Sequence, residues 1–208
     1  MRIAPVGILH ARHPQNLEAI IRDVHQVCLP THGSTLAISG AAALACGIAS
    51  ALHGSDVNEI VQAARTGAAL GAQVGFPVIG PSVARRIDMV SDIAKNNPDL
   101  DTAAAEIYQV VGAGVETEQS VPAAIGLFLA AAGDPYKAVL AAANMGGDCD
   151  TVASMAGALA GAFAGADKFP VSWIEDIERV NQLNLSQLAS ELYEATSWWG
   201  MQTTLEPV

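Results

Sequence analysis

Met145-Gly146-Gly147-Asp148-Cys149-Asp150-Thr151-Val152-Ala153-Ser154-Met155-Ala156-Gly157-Ala158-Leu159-Ala160-Gly161-Ala162-Phe163-Ala164-Gly165 reads as a turn followed by a helix of small residues. Gly146 and Gly147 suit a tight turn, because glycine reaches positive φ without steric cost. Gly157, Gly161 and Gly165 then recur at four-residue spacing among alanines. Each interior glycine costs a helix about 1 kcal/mol relative to alanine. A repeated small face at that cost predicts a second helix lying close against it. The stretch therefore points to a helical fold in which a buried, rigid helix holds the acids at its head in a fixed place.

Those acids have two readings. Asp148, Asp150 and Thr151 place three oxygen-bearing side chains within four residues. Two carboxylates and a hydroxyl so close together suit a hard cation such as Mg²⁺ or Mn²⁺, which prefers oxygen ligands. The alternative is structural: Asp148 caps the helix and Asp150 is a first-turn acid facing the helix dipole.

Upstream, Asp134-Pro135 opens a helix that leads into this turn. Ser120 caps another, with Pro122 in its first turn, running to about Ala132. Before it, Gly112-Ala113-Gly114 leads into a loop, Val115-Glu116-Thr117-Glu118-Gln119. Glu116 and Thr117 there face either a sugar and metal-bound water, or solvent alone. Nearer the N-terminus, Met1 to Leu9 is a turn or short helix. Pro14 starts a helix carrying Leu17, Ile20, Ile21, Val24 and Val27 at helical spacing, and Pro30 ends it. Thr31-His32-Gly33-Ser34 opens Thr35 to Leu52, which is nearly all apolar and small and must be central. Ser55 caps a helix to about Gln73. Pro81-Ser82 begins one to about Asn96, and Asp101 caps one to about Val111. Downstream, Pro170 opens Val171 to about Gln182. Ser186 begins a last helix carrying Leu188, Leu192, Trp198 and Trp199. No segment alternates with period two. The fold class is all-α, an irregular multi-helix bundle of about ten helices forming a single domain over 1–208.

Composition bounds the function. At 208 residues, 51% hydrophobic and 15% charged, the chain can bury a sizeable core. A net charge of -11 excludes nonspecific binding to nucleic acid phosphates and to anionic membranes. Cys28, Cys46 and Cys149 show neither a CxxC pair nor zinc spacing, so reduced thiols in a cytoplasmic protein are expected. Leu36 to Leu52 and Val152 to Ala166 are apolar but short and rich in Gly and Ala, and read as buried helices. His10, His13, His25 and His53 read as surface or helix-end residues. His32, at a helix boundary, is either a capping residue or a site residue. Arg85 and Arg86 read first as a small solvated basic face, with contact to a substrate phosphate as the lesser alternative.

Several segments, in order, resemble the ADP-ribosylglycohydrolase family. They are Met1-Arg2-Ile3-Ala4-Pro5, Ser120-Val121-Pro122-Ala123-Ala124-Ile125, the stretch from Gly146 to Ala162, and Phe169-Pro170-Val171-Ser172-Trp173. The resemblance implies an all-helical, metal-dependent hydrolase that cleaves a glycosidic bond at the anomeric carbon of ADP-ribose or a related ribosyl compound. It implies a centre of two Mg²⁺ or Mn²⁺ ions with Asp148, Asp150 and Thr151 as ligands. It further implies that Arg2, His32, Gly146 and Gly147 shape the ribose and phosphate pocket, since the family carries a Thr-His pair near the ribose. The loop's acid and hydroxyl side chains add Glu116 and Thr117 as substrate-side candidates, on their residue types and not on the resemblance. Two departures stand out. The family's Gly-Asp-Ala-x-Gly and Thr-Asp-Asp-Thr motifs, which complete the metal site and supply the general base, do not occur here. The loop from 115 to 119 has Glu or Gln where the family often has an aromatic residue.

No residue of this chain stands out as a general base. With the two motifs absent, the chain is expected to be either the C-terminal part of a longer or split protein or a reduced member of the family. It would then bind metal weakly by itself and expose apolar surface on Thr35 to Leu52 and on the signature helix. The expected partners are a small-molecule or ADP-ribosylated substrate, and either a second copy or a separate chain supplying the remaining segment. The alternative function is a noncatalytic nucleotide-sugar-binding or assembly module that needs a second chain to complete its site.

Overall fold

A computed structural model describes residues 2–97 and 99–203, with the backbone alone described for 198–203. Its described residues form helices α1 (Ala4–Leu9), α2 (Leu17–His32), α3 (Thr35–His53), α4 (Val57–Gly71), α5 (Val83–Asn96) and α6 (Leu100–Val110). They continue with α7 (Thr117–Ala130), α8 (Pro135–Asn144), α9 (Cys149–Ala164), α10 (Val171–Asn181) and α11 (Leu185–Thr203). One 3-10 turn, Ala166–Lys168, follows α9, and no strand occurs among the described residues. The architecture is the all-α, irregular bundle that the periodicity predicts.

Helix α3 is the axis of the bundle. It packs against α1, α2, α4, α5, α7 and α9. Its 19 residues reach a mean hydropathy of 1.8, enough to cross a membrane by length and composition, yet 72% of that window is buried inside the bundle. The expectation that α3 exposes apolar surface is corrected here. Its small residues let six helices close around it and leave Leu52, near its end, exposed; otherwise solvent meets apolar side chains away from α3, as at Phe76, Val78 and Ile79 and along α10 at Val171, Ile177 and Val180. Close approach to α4 depends on Gly67, where an added Cβ would lie 2.5 Å from the Ala42 carbonyl oxygen.

The small face of α9 has two neighbours. A Cβ on Gly157 would come within 2.9 Å of Val139 on α8, the expected helix–helix contact. One on Gly161 would meet the Phe169 ring at 3.0 Å, and that ring belongs to the connection after the helix and not to a second helix.

Local expectations fail where the decisive partner is distant in sequence. Pro30 does not end α2, which is capped by Asn16 and runs on to His32. The proline sits in the last turn with its side chain exposed, where losing one hydrogen bond is tolerated. The cap of α6 is Asp99, which accepts from the Thr102 N–H at 2.8 Å, and Asp101 lies inside the first turn. Helix α7 starts at Thr117, so half of the expected loop is helical and Ser120 lies inside it, buried. Pro122 is therefore interior and leaves the Glu118 carbonyl without its helical donor. The Arg86 guanidinium donates to that carbonyl at 2.9 Å, so Arg86 is a structural donor and not part of a solvated face.

His10 is likewise not a surface residue. It is 5% exposed and pairs through Nε2 with the Asp23 carboxylate at 2.7 Å. Arg22 Nε holds the other Asp23 oxygen at 3.0 Å. Burial alone would push the Asp23 carboxyl up. The hydrogen bonds and charges of His10 and Arg22 outweigh it and hold the carboxyl below its usual range.

Candidate functional site

The glycine turn at 146–147 places the head of α9. Gly146 and Gly147 have φ of 92° and 66°, a region that side-chain-bearing residues rarely adopt. Gly147 also lies so close to the Ala113 carbonyl that a Cβ would not fit. The Asp148 N–H donates to that same carbonyl at 2.6 Å, which ties the turn to the loop before α7. Across that loop, the Gly114 N–H donates to Gln119 Oε1 at 3.1 Å.

This anchoring separates the two readings of Asp148. The residue occupies the N-cap position of α9, but its side chain makes no capping hydrogen bond among the described residues. Its backbone is committed, and among the described residues its carboxylate is not used as a cap. Asp56 shows the contrast: it caps α4 by accepting from Asn58 and Glu59, in a full capping box.

Asp148 lines a cleft of about 470 Å³ together with Thr151, Arg2, His32 and Thr117. Three parts of the fold converge there. Arg2 precedes α1, His32 ends α2, and Thr117 opens α7. Thr117 can come so near because Gly40 on α3 presents no side chain to it. Leu44 and Met155 line the apolar side of the cleft. Cys28 lines it too; burial pushes its thiol up, against the opposing pull of Arg2, so it faces the cleft as a neutral thiol. At the rim, Arg2 Nη2 donates to Thr31 Oγ1 at 2.5 Å, and Thr31 Oγ1 lies 2.8 Å from His32 Nδ1.

Four expected residues lie outside this lining. Asp150 sits on the exposed side of the first turn of α9. Glu116 is exposed at the N-cap position of α7 and makes no side-chain cap there. Gly146 and Gly147 form the exposed turn itself. Helical spacing carried part of this distinction, since Thr151 and Met155 share one side of α9 while Asp150 is rotated off it. Thr31, the other half of the Thr-His pair, also lines the cleft, as do Cys28 and Ser120, which sequence reasoning did not assign to it. For Ser120 no local signal existed, because its orientation depends on where α7 begins.

The arrangement can bind a ligand of mixed character. Cationic Arg2 and polar His32 stand with anionic Asp148 around one concavity, and a cleft of this size suits a small molecule. Among the described residues, no three His, Cys, Asp or Glu side chains converge as a metal group.

Comparison with known proteins adds a family. The family model described as ADP-ribosylglycohydrolase matches residues 1–201. Escherichia coli YegU is 35% identical over 193 residues, covering 92% of this chain and 57% of that protein. The human ADP-ribosylhydrolase ARH3 is 29% identical over 213 residues, covering 93% of this chain and 56% of that protein. A protein of Archaeoglobus fulgidus is 28% identical over 195 residues, covering 93% and 56% respectively. The chain thus spans about half the length of the curated relatives that match along most of it.

Proposed function

The chain belongs to the ADP-ribosylglycohydrolase family, and from that premise we propose that it serves the hydrolysis of a glycosidic bond at the anomeric carbon of ADP-ribose or a related ribosyl compound. The observation that carries this reading is the union of Asp148 and Thr151 with Arg2, His32 and Thr117 on one cleft. Such a ligand combines anionic phosphates with a hydroxyl-rich sugar. Arg2 suits the phosphates, because the guanidinium fork matches their oxygens. Thr117, Thr151 and His32 suit the sugar hydroxyls, which both donate and accept. Leu44 and Met155 exclude water from the inner side.

A divalent ion, Mg²⁺ or Mn²⁺, is part of this reading. Asp148 and Thr151, which line the cleft, are the oxygen donors that would hold it, and Asp150 would join them only from outside the lining. Asp148 is the strongest candidate, since its carboxylate is not spent on a helix cap. The donors fit a hard cation in kind; in number they fit one side of a site that takes about six ligands. When bound, such an ion holds sugar hydroxyls and makes a water nucleophilic at neutral pH.

One observation favours a second reading. Among the described residues, Asp148 is the single carboxylate lining the cleft. If it binds metal, no carboxylate of this lining remains to accept a proton. In this reading the 208 residues are a noncatalytic nucleotide-sugar-binding or assembly module. A further segment, a second copy or a separate chain then completes the site.

The deciding experiment follows ADP-ribose release from an ADP-ribosylated peptide in the presence of Mn²⁺, with ADP-ribose binding measured in parallel. Release that disappears in Asp148→Ala supports the hydrolase. ADP-ribose binding without release supports the binding module. Absence of both overturns the two readings together.

A further inference from the structure

Thr31 connects the two nitrogen-bearing side chains of the cleft. Its hydroxyl oxygen accepts from Arg2 Nη2 at 2.5 Å and lies 2.8 Å from His32 Nδ1. The guanidinium has donors only, so the direction of the first bond is settled by chemistry. A hydroxyl that accepts from a cation is polarised and becomes a better donor along the chain of bonds. It has one proton to give, and His32 Nδ1 at 2.8 Å is placed to take it.

We propose that Thr31 is a positioning residue that couples Arg2 to His32, donating its proton to His32 Nδ1 and thereby fixing the neutral ring as the Nε2–H tautomer. The hydrogen bond made by one ring nitrogen decides which nitrogen carries the proton. With Nδ1 occupied as an acceptor, His32 offers the cleft an N–H donor. Arg2 and His32 then form a rim made of donors, held in register by one hydroxyl. Such a rim selects for ligands that present oxygen acceptors, such as phosphate or sugar oxygens. This selectivity rests on the proposed ADP-ribose reading, whereas the tautomer and the coupling rest on the distances alone.

The test uses the full 208-residue chain with nitrogen-labelled histidine, observed by NMR above neutral pH. The His32 ring signals are assigned from their loss in His32→Asn. The expected result is a ring predominantly protonated at Nε2. Thr31→Val, which keeps the shape and removes the hydroxyl, should redistribute the tautomers, and Thr31→Ser should restore the original pattern. Thermal unfolding shows whether Thr31→Val is folded. If it is not, the ring state of the unsubstituted protein and of Thr31→Ser still decides. A ring protonated at Nδ1, or a tautomer balance unchanged by Thr31→Val, overturns the proposal. In parallel, calorimetry with ADP-ribose should show binding weakened about tenfold in Thr31→Val and nearly restored in Thr31→Ser, the loss expected for one hydrogen bond to a charged group. No ADP-ribose binding by any variant would count against the ligand reading, while the ring assignment would still settle the role of Thr31.

Discussion

Asp148 and Asp56 occupy the same formal position at the head of a helix and do different work. Asp56 caps α4 with two backbone bonds, whereas the Asp148 side chain makes no such bond. An N-cap aspartate replaced by alanine typically costs about 1 kcal/mol. Urea unfolding should therefore show a loss of that order for Asp56→Ala and less than about 0.5 kcal/mol for Asp148→Ala. A large loss at Asp148 would mean that its carboxylate is structural. Asp23 sets a different dependence. Its carboxyl lies below the ordinary value of 3.8 in the folded chain. A depressed carboxyl contributes stability that is fully present above the unfolded value and is lost as pH falls through the folded one. The part of the stability advantage over Asp23→Asn that comes from the ionised carboxylate should thus shrink progressively as pH falls below about 4. Denaturant unfolding at stepped pH measures it, and an advantage independent of pH would count against the His10–Asp23–Arg22 cluster.

Among the helices, α7 shows how an interior proline is accommodated. Pro122 removes the donor that the Glu118 carbonyl would use, and Arg86 on α5 supplies another at 2.9 Å. Arg86→Met should then destabilise the fold by about 1–3 kcal/mol, the cost of leaving a partly buried carbonyl unpaired. Pro122→Ala restores the helical N–H. In that background Arg86→Met should cost clearly less, so a double-mutant cycle should return a coupling above about 0.5 kcal/mol. Independent, additive losses would show that the guanidinium serves another purpose. The arrangement also explains why an Arg-Arg pair on an amphipathic helix looked like a solvated face. The carbonyl that recruits Arg86 lies 32 positions away, and nothing within one turn of α5 announces it.

The molecule as a whole places Asp148 and Thr151 on one cleft with Arg2 and His32, and in the proposed reading the first two belong to one side of a cation site. With three oxygen donors at most from the α9 head, the chain alone should bind Mn²⁺ no tighter than roughly micromolar, since hard-cation sites of higher affinity assemble about six ligands. ADP-ribose would contribute oxygens of its own, so calorimetry with both present should show tighter Mn²⁺ binding, and ADP-ribose should gain by the same factor. Submicromolar Mn²⁺ binding without the nucleotide would mean that residues assigned here to structure complete the site.

Local chemistry was legible in the chain itself. Periodicity marked the helices, the apolar run marked α3 as central, and the paired glycines marked the turn before Asp148, because helix formation and positive φ depend on residues within about four positions. Family resemblance and the local residue types picked out Asp148, Thr151, Arg2, His32 and Thr117, which the fold gathers on one cleft, together with Asp150, Glu116, Gly146 and Gly147, which it leaves outside that lining. What remained hidden was every outcome that depends on which segments touch. The convergence of Arg2, Thr31 and His32 with Asp148, the exclusion of Asp150 from the cleft, the burial of His10 on Asp23 and the rescue of Pro122 by Arg86 all follow from how helices close around α3. Packing selects those neighbours from across the whole chain, and a side chain's donors and acceptors acquire a role only once the neighbour is in place.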